Sequence, residues 1–366
     1  MCLQMGVKRQ RHAALYLRIL ALAALLHTLT CLDLSNLQLT NITVSGDDAS
    51  GSPTSFSFFS GGGVRQTSAA ADLATETELI LRSNALTMIP AALFRALKSA
   101  KKVDLSNNPN LTTLETNSFV DLPQLTEITS VNTGLKELPT LLVSNCAKLE
   151  TITFNSSFIH TINRNAIANL PKLLEIHLSR NNVTVLYPNS FANLSKIHTL
   201  DLSYNNLTNV PGELFSVANT WKALDFTRNN ITGAPPLIQN AVVTGYVSFE
   251  RNLIFEIKPE EFANAAYIQE LRLGHNGIFT VHGRAFNGMA SLRKLDLSDN
   301  VISVIDGNAF EGLSVLKELL LGQNYIKRLT FTQFPPQLER LELQENLIDL
   351  MPTFSDGVAA SNLQYL

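Results

Sequence analysis

The chain has 366 residues and a formal net charge of −3, from 28 lysines and arginines against 31 aspartates and glutamates. This near balance argues against a general binder of nucleic acid or of anionic membranes, because such proteins carry a marked excess of positive charge. The three cysteines, Cys2, Cys31 and Cys146, lie far apart, and their spacing excludes a disulfide framework or a zinc site.

Residues 1–30 are predicted to be a secretory signal peptide, because Lys8, Arg9 and Arg11 precede a short apolar run. The run is short for a membrane-spanning helix, and Arg18 interrupts it. A signal anchor and a wrongly assigned start are the two alternatives. No clean cleavage site of small residues is evident, so the boundary of the segment stays open.

Residues 31–42 have the rhythm of the repeat described below, but Asn36 comes one position early, which indicates a degenerate first repeat. Residues 43–74 are rich in Ser, Gly, Thr and Ala. Such a composition buries little apolar surface, so it predicts a loop or a disordered segment. The segment is either a plain insertion or a decayed repeat in which Phe56 and Phe58 mark a strand.

From residue 75 to residue 366 one pattern recurs, and residues 291–313 show it most clearly as SLRKLDLSDNVISVIDGNAFEGL. Leu295 and Leu297 alternate as in a strand and are predicted to point inward. Asn300 follows where the chain bends out of the strand. Its amide can donate to and accept from backbone groups that the bend would leave unpaired. One such coil cannot bury its own apolar face, whereas stacked coils can.

The position of the second core leucine recurs in twelve turns at steps of 22 to 25 residues, and ten of these turns also carry the asparagine. The asparagines predicted to form a structural ladder are Asn84, Asn108, Asn181, Asn205, Asn229, Asn252, Asn276, Asn300, Asn324 and Asn346. Thr133 and Ser157 replace asparagine in two turns, and Ser130 replaces a core leucine. These turns are expected to be the least well pinned, because hydroxyls have less reach. Trp221 and Cys146 are both expected to fill the core.

In these columns the chain resembles an extracellular leucine-rich repeat domain of the type with about 24 residues per turn, as found in cell-surface receptors and receptor-like kinases. The resemblance covers residues 79–366, with a weaker echo in the first repeat. It implies an α/β solenoid shaped as a horseshoe, with a parallel β-sheet on the concave face and irregular or short helical return segments. The chain lacks the G-x-I-P signature of plant receptors and the cysteine-rich caps of animal proteins.

The last five residues open a further repeat and stop before its asparagine. A solenoid needs a polar cap over its last turn, and the sequence contains none. This pattern predicts a piece of a longer protein. If the resemblance to receptor-like kinases holds, a spanning helix and a kinase would follow. As written, the last turn is expected to fray and the protein to associate.

Seven asparagines stand in the N-x-[ST] acceptor sequence for N-glycosylation. They are Asn41, Asn110, Asn155, Asn182, Asn193, Asn206 and Asn230. The repeat pattern itself often contains N-N-x-T, so the acceptor sequences at Asn182, Asn206 and Asn230 can arise without any selection for a glycan. Together with the apolar N-terminus they favour the secretory route, and therefore a secreted or cell-surface protein.

The outward positions of consecutive strands bring interface-type side chains together on the concave face. The column beside the ladder contains Arg180, Tyr204, Arg228, Arg251 and His275, and the column between the leucines contains His177, Asp201, Asp225, Ser248 and Arg272. Adjacent strands lie about 4.8 Å apart, so these columns predict a ligand-binding patch. The two aspartates are expected to neutralise nearby arginines and to leave the positive charge at Arg251, Arg272 and His275. The alternative is an ordinary solvated face.

No catalytic, cofactor-binding or metal-binding motif accompanies the repeats. The sequence therefore predicts a non-enzymatic module without a cofactor that recognises a protein, a peptide or a glycan and binds no nucleic acid. The rival class is an intracellular scaffold that uses the same surface for assembly. Contact with a membrane is expected only through a segment beyond this chain or an uncleaved N-terminal anchor.

Overall fold

The computed structural model describes residues 31–47, 53–60, 63–214, 220–234, 242–263, 265–329 and 335–349. The predicted signal peptide, Cys2 and the partial repeat at 362–366 lie outside these ranges. Within the ranges the chain forms a solenoid of parallel strands with little helix. The predicted fold class is therefore confirmed.

One continuous parallel sheet of thirteen strands runs through the solenoid, with one strand in each turn. In chain order the strands are Cys31–Asp33, Glu78–Ile80, Lys102–Asp104, Glu127–Thr129, Thr151–Thr153, Glu175–His177, Thr199–Asp201, Thr220–Asp225, Val242–Ser248, Glu270–Arg272, Lys294–Asp296, Glu318–Leu320 and Arg340–Glu342. Neighbouring strands pair so that equivalent positions lie side by side, as Leu271 does with Leu295. Each position of the repeat therefore becomes a straight column across the sheet.

The inward columns form the core. Leu295 and Leu297 are fully buried, as the alternation predicts. From the return side, Phe262, Phe286 and Phe310 stack with ring centroids 5.7 and 6.1 Å apart. Each turn thus covers the apolar face of the next, and aromatic stacking adds to the burial.

The return segments are largely irregular, but many contain two-residue strands that pair in small parallel sheets. These strands are Phe119–Val120, Val143–Ser144, Ile167–Ala168 and Phe191–Ala192; Glu137–Leu138, Thr161–Ile162 and Val185–Leu186; and Glu256–Ile257, Thr280–Val281 and Val304–Ile305. In the part of the chain that the structure describes, one return segment contains a helix, Ala91–Ala96. Strand pairing thus takes the place of most of the short helices that the sequence allowed.

The described part of residues 43–74 folds, so the loop or disordered segment predicted there is wrong for that part. Three antiparallel strands form a separate sheet, Asn41–Asp47, Pro53–Ser60 and Gly63–Ala69, and the helix Ala70–Leu73 follows. Phe56 and Phe58 are fully buried because they alternate with serine and share one face of the middle strand. The strand Cys31–Asp33 pairs directly with Glu78–Ile80. The segment is therefore an excursion between two adjacent turns of the solenoid.

Trp221 and Cys146 are both buried in the core, as predicted. Burial raises the pKa of the Cys146 thiol to about 11. Its Sγ lies 3.4 Å from the carbonyl oxygen of Phe119, which belongs to the preceding turn. Cys146 therefore behaves as a small core residue, since a thiol with such a pKa stays protonated at neutral pH.

Asparagine amides connect each turn to the one before it. Asn205 Nδ2 donates to the carbonyl oxygens of Leu178 and Leu202, both at 3.0 Å, and its Oδ1 accepts from the N–H of Val183 at 2.9 Å. Equivalent bonds to two backbone carbonyls are made by Asn84, Asn108, Asn181, Asn229, Asn252, Asn276, Asn300, Asn324 and Asn346. One of the two carbonyls belongs to the preceding turn, so each amide fixes two turns.

Hydroxyl groups take the place of this amide in two turns. Ser157 Oγ accepts from the N–H of Thr133 at 3.1 Å and lies 2.8 Å from Thr133 Oγ1. Ser130 Oγ lies 3.3 Å from the same hydroxyl, and Ser130 is fully buried. Ser130, which replaces a core leucine, therefore has the Thr133 hydroxyl as its hydrogen-bond partner in the core. The weaker pinning expected here stays a prediction, since a hydroxyl reaches fewer backbone groups than an amide.

We expect Asn205→Ala to lower the free energy of unfolding by about 1–3 kcal/mol, because buried backbone groups of two turns lose their partner. Ser157→Ala should cost less, since its hydroxyl contacts only Thr133 and the carbonyl of Asn155. Denaturant unfolding of both variants and the unchanged protein measures the two effects. Equal and negligible shifts would show that the ladder does not stabilise the array.

Candidate interaction surface on the long sheet

The residue before each ladder asparagine faces solvent on one side of the long sheet, here called the sheet face. Arg180, Tyr204, Arg228, Arg251 and His275, called the sheet-face row, have φ values between 55° and 56°. This left-handed conformation is uncommon for residues other than glycine. Each backbone N–H in the row donates to the following turn, as Tyr204 does to the carbonyl of Thr227 at 2.7 Å. This bond and the adjacent ladder asparagine hold the row in that conformation.

Three members of the row form one stack. The guanidinium carbon Cζ of Arg180 lies 4.2 Å from the ring centroid of Tyr204, and that of Arg228 lies 5.1 Å from it. Such contacts are favourable cation–π interactions. Tyr204 remains 38% exposed. The stack therefore presents two oriented guanidinium groups and one aromatic ring to solvent.

The other two members of the row already contact carboxylates. Arg251 Nη2 lies 3.1 Å from His275 Nε2, and Arg251 Nε lies 3.7 Å from Glu250 Oε1. His275 Nδ1 lies 3.2 Å from Asp299 Oδ2. The charge at this end of the row is therefore partly offset within the chain.

Arg272 belongs to a separate network in the neighbouring columns. Its Nε donates to Glu270 Oε1 at 2.9 Å, its Cζ lies 4.4 Å from the ring centroid of Tyr246, and Lys294 Nζ lies 3.2 Å from Glu270 Oε1. Burial disfavours the charge of Glu270, but hydrogen bonds from Arg272 and Lys294 outweigh it and lower its pKa. Burial also raises the pKa of the Tyr246 hydroxyl, and the charge of Asp225 raises it further.

The neutralisation of arginines expected of Asp201 and Asp225 stays a prediction. The hydrogen bond to Glu270 raises the pKa of Arg272, and the charge of Asp225 raises it further. The Oδ1 of each aspartate accepts a backbone hydrogen bond at 2.9 Å, from Ser203 and Thr227 respectively. A carboxylate two residues from a backbone N–H is held locally by that hydrogen bond.

The ion pairs along the patch differ from the predicted ones. Carboxylates pair with Arg251, Arg272 and His275, where the excess positive charge was expected. Within the described ranges, Arg180 and Arg228 contact the Tyr204 ring, with no carboxylate at ion-pair distance. The positive charge that is free to meet a partner therefore lies around Tyr204.

The strand alternation read from the sequence placed one buried residue in the patch and left out three residues that belong to it. Ser248 is buried, and its Oγ lies 2.7 Å from Thr227 Oγ1. Tyr246, Glu270 and Lys294 precede the first core residue of their turns and lie beside Arg272 on the sheet face. Period-two alternation applies to this position too, so the sequence contained the signal for it.

The sequon asparagines differ in their exposure. Those on the exposed surface are Asn110, Asn182, Asn193, Asn206 and Asn230. Asn41 and Asn155 are half-buried, and Asn155 Oδ1 accepts from the N–H of Ser179 at 2.9 Å. Because its amide takes part in the fold, Asn155 is less suited to carry a glycan than the exposed five.

The described ranges contain no group of three histidine, cysteine or acidic side chains that could hold a metal ion. No helix in those ranges is long and apolar enough to cross a membrane.

Buried leucine columns, an asparagine ladder and one parallel strand in each turn define a leucine-rich repeat domain, and this chain carries one. A leucine rich repeat family model matches residues 266–326. The model of the BspA type leucine rich repeat region matches residues 75–198 and 130–232. No curated protein sequence matches the chain.

Solved structures share this fold at low sequence identity. A chain of the Drosophila Toll–Spatzle complex is 22% identical with a TM-score of 0.66, over 81% of this chain and 41% of that one. The leucine-rich repeat domain of APL1B is 20% identical with a TM-score of 0.61, over 90% and 86%. An internalin from Listeria monocytogenes is 19% identical with a TM-score of 0.54, over 83% and 90%. Our chain thus spans less than half the length of its counterpart in the Toll–Spatzle complex.

Glu270→Gln should destabilise the protein at neutral pH and not in acid. The folded-state pKa of Glu270 lies below its ordinary value, so its charge contributes stability that is lost as the pH falls through that folded-state pKa. We expect a loss of about 0.2–1 kcal/mol at neutral pH, the usual size for a partly exposed pair. At an acid pH below that folded-state pKa the difference should vanish, since the carboxyl is then protonated in both the folded and the unfolded states.

Thermal melts at the two pH values measure this difference. Glu311→Gln is the matched control, because Glu311 is exposed and lies outside the network. A loss for Glu270→Gln that is the same at both pH values would mean that the carboxylate charge is not what stabilises the network.

Proposed function

We propose that this protein is a recognition module that binds an acidic segment of a protein or peptide on the sheet face. The stack of Arg180, Tyr204 and Arg228 carries the proposal. Tyrosine and arginine are enriched at protein interfaces and among the residues that dominate binding energy. Stacking and the fixed backbone restrict these side chains before binding, which lowers the entropy lost on association.

The chemistry of the stack favours carboxylates in the partner. A guanidinium group presents N–H donors in a planar fork that matches a carboxylate with two parallel hydrogen bonds. With their Cζ atoms over the Tyr204 ring, both guanidinium groups keep N–H donors for a carboxylate of the partner. The Toll–Spatzle complex, whose fold is similar, is an assembly of two proteins. That likeness supports a protein partner for the present chain as well.

Selection from a displayed random-peptide library on the immobilised protein tests the proposal. We expect the selected peptides to be acidic and to lose affinity about tenfold or more with Tyr204→Ala and with Arg180→Glu combined with Arg228→Glu, because these variants remove the central anchor. Biolayer interferometry with synthetic peptides gives the affinities. Thermal melts show whether the variants fold.

Lys98→Glu combined with Lys101→Glu is the matched control. Both lysines are exposed and lie outside the columns of the sheet face. If this pair abolishes peptide binding while the arginine pair leaves it intact, the sheet face is not the binding surface.

We propose further that the protein enters the secretory route and acts outside the cell or at its surface. Five sequon asparagines are exposed, and the structure of the Toll–Spatzle complex is of a glycosylated form. An intracellular scaffold for protein assembly is the alternative. Both use the same fold, so only the compartment separates them.

Expression of the whole chain in eukaryotic cells, followed by treatment with an N-glycosidase, tests this route. We expect a loss of mass, because exposed N-x-[ST] asparagines are glycosylated in the secretory route. Asn182→Gln, Asn206→Gln and Asn230→Gln together should reduce the loss, whereas Asn155→Gln should leave it unchanged. An unchanged mass after treatment would favour the intracellular scaffold.

A further inference from the structure

A second surface lies on the other side of the ladder from the sheet-face row. The residue after each ladder asparagine forms a column that we call the lateral strip: Leu253, Gly277, Val301, Tyr325 and Leu347. Leu253 is 56% exposed, Val301 42%, Tyr325 54% and Leu347 52%. The backbone N–H of each residue in the strip donates to a carbonyl of the preceding turn at 2.9 to 3.1 Å. These bonds hold the exposed column in fixed positions.

The apolar character of this column begins at one turn. In three preceding turns the same position carries Asn182, Asn206 and Asn230, which are exposed and polar. Beside the strip, Phe255 and Phe279 are 45% and 46% exposed, with ring centroids 6.4 Å apart. The repeat requires no apolar residue at these positions, whose side chains point away from the core. A contiguous exposed apolar patch of this kind indicates an interaction surface.

We propose that the lateral strip binds a second copy of this chain in a dimer whose two-fold axis passes beside Val301. A two-fold axis brings the same surface of both copies together, and an axis that runs across the strip also reverses the order of the turns. Since the turns are evenly spaced, each turn then lies opposite another turn. Val301 meets its own counterpart, and Leu253 meets Leu347 of the partner subunit.

Shape favours this arrangement of the two copies. With the axis at Val301, Tyr325 of each copy lies opposite Gly277 of the other. Gly277 has no side chain and leaves a depression in the strip. Tyr325 has the largest side chain of the strip, so the tyrosine of one copy projects into the depression of the other. An axis through the turn of Gly277 would instead bring Tyr325 opposite Asn230 of the second copy.

Charge favours a second copy over an unrelated partner. Across the ladder from the strip, the column of the sheet-face row is cationic at Arg251, whose charge Glu250 partly offsets, and further along it is anionic at Glu345. Reversing the order of the turns places Arg251 of each copy opposite Glu345 of the other copy, so the dimer contains this pair twice. Asp299 lies near the axis, where its carboxylate is already paired with His275 at 3.2 Å. A surface that complements itself in both shape and charge is what an isologous interface requires.

Light scattering coupled to size-exclusion chromatography, together with sedimentation of the whole chain, tests the dimer. We expect a dimer that dissociates on dilution, and we expect Tyr325→Lys and Gly277→Arg each to weaken it about tenfold or more, because both act at the centre of the interface. A Cβ at Gly277 would meet only the Ile254 carbonyl oxygen, at 3.6 Å, so this variant should fold. Tyr204→Lys on the sheet face is the matched control and should leave the dimer unchanged.

Two further variants identify the partner as a second copy and locate the axis. Arg251→Glu should weaken the dimer, and adding Glu345→Arg should restore it, since the swap recreates the pair in reverse. Val301→Cys should form an intermolecular disulfide under mild oxidation, because a residue on the axis approaches its counterpart closely. Asn206→Cys, in the same column outside the strip, should not exceed the background of the unchanged protein.

A monomer at all concentrations would overturn the proposal. So would a dimer that resists both Tyr325→Lys and Gly277→Arg, or a Val301→Cys variant that cross-links no faster than Asn206→Cys. Because none of these readouts uses a peptide, the dimer can fail while peptide binding on the sheet face stands, and the reverse also holds.

Discussion

The buried asparagine amide is the interaction on which the rest of the structure depends. At Asn205 it joins the carbonyl oxygens of Leu178 and Leu202 across two turns. An unpaired buried carbonyl or N–H costs about 1–3 kcal/mol, so the bend after each strand would be unfavourable without such a group. Once the amide is fixed, the residues on both sides of it are fixed as well. The sheet-face row precedes the ladder, and the lateral strip follows it.

Stacking turns short sequence preferences into surfaces. A single arginine or tyrosine on a strand has little meaning, but the regular pairing of strands places Arg180, Tyr204 and Arg228 in contact although 24 residues separate neighbours in the sequence. The same spacing aligns Leu253 with Val301 and Tyr325. Both surfaces therefore follow from the solenoid, and their chemistry follows from positions that the core leaves free to vary.

Composition is a weaker guide than alternation. The serine- and glycine-rich segment at 43–74 has the composition of a loop, yet Phe56 and Phe58 anchor an antiparallel sheet. In that strand, every second residue faces the core, so a few phenylalanines suffice to bury one face. Composition averages over both faces and therefore conceals this pattern.

The sequence by itself determined the repeat, the inward columns, the asparagine ladder and the membership of the sheet-face row, because period and alternation fix which side chains share a face. It did not determine the charge pairing. Only the tertiary structure shows that Asp201 and Asp225 bind local backbone and that Glu250, Glu270 and Asp299 offset the cationic end. Ion pairs depend on distances of a few ångströms between side chains of different turns, and no spacing along one chain specifies them.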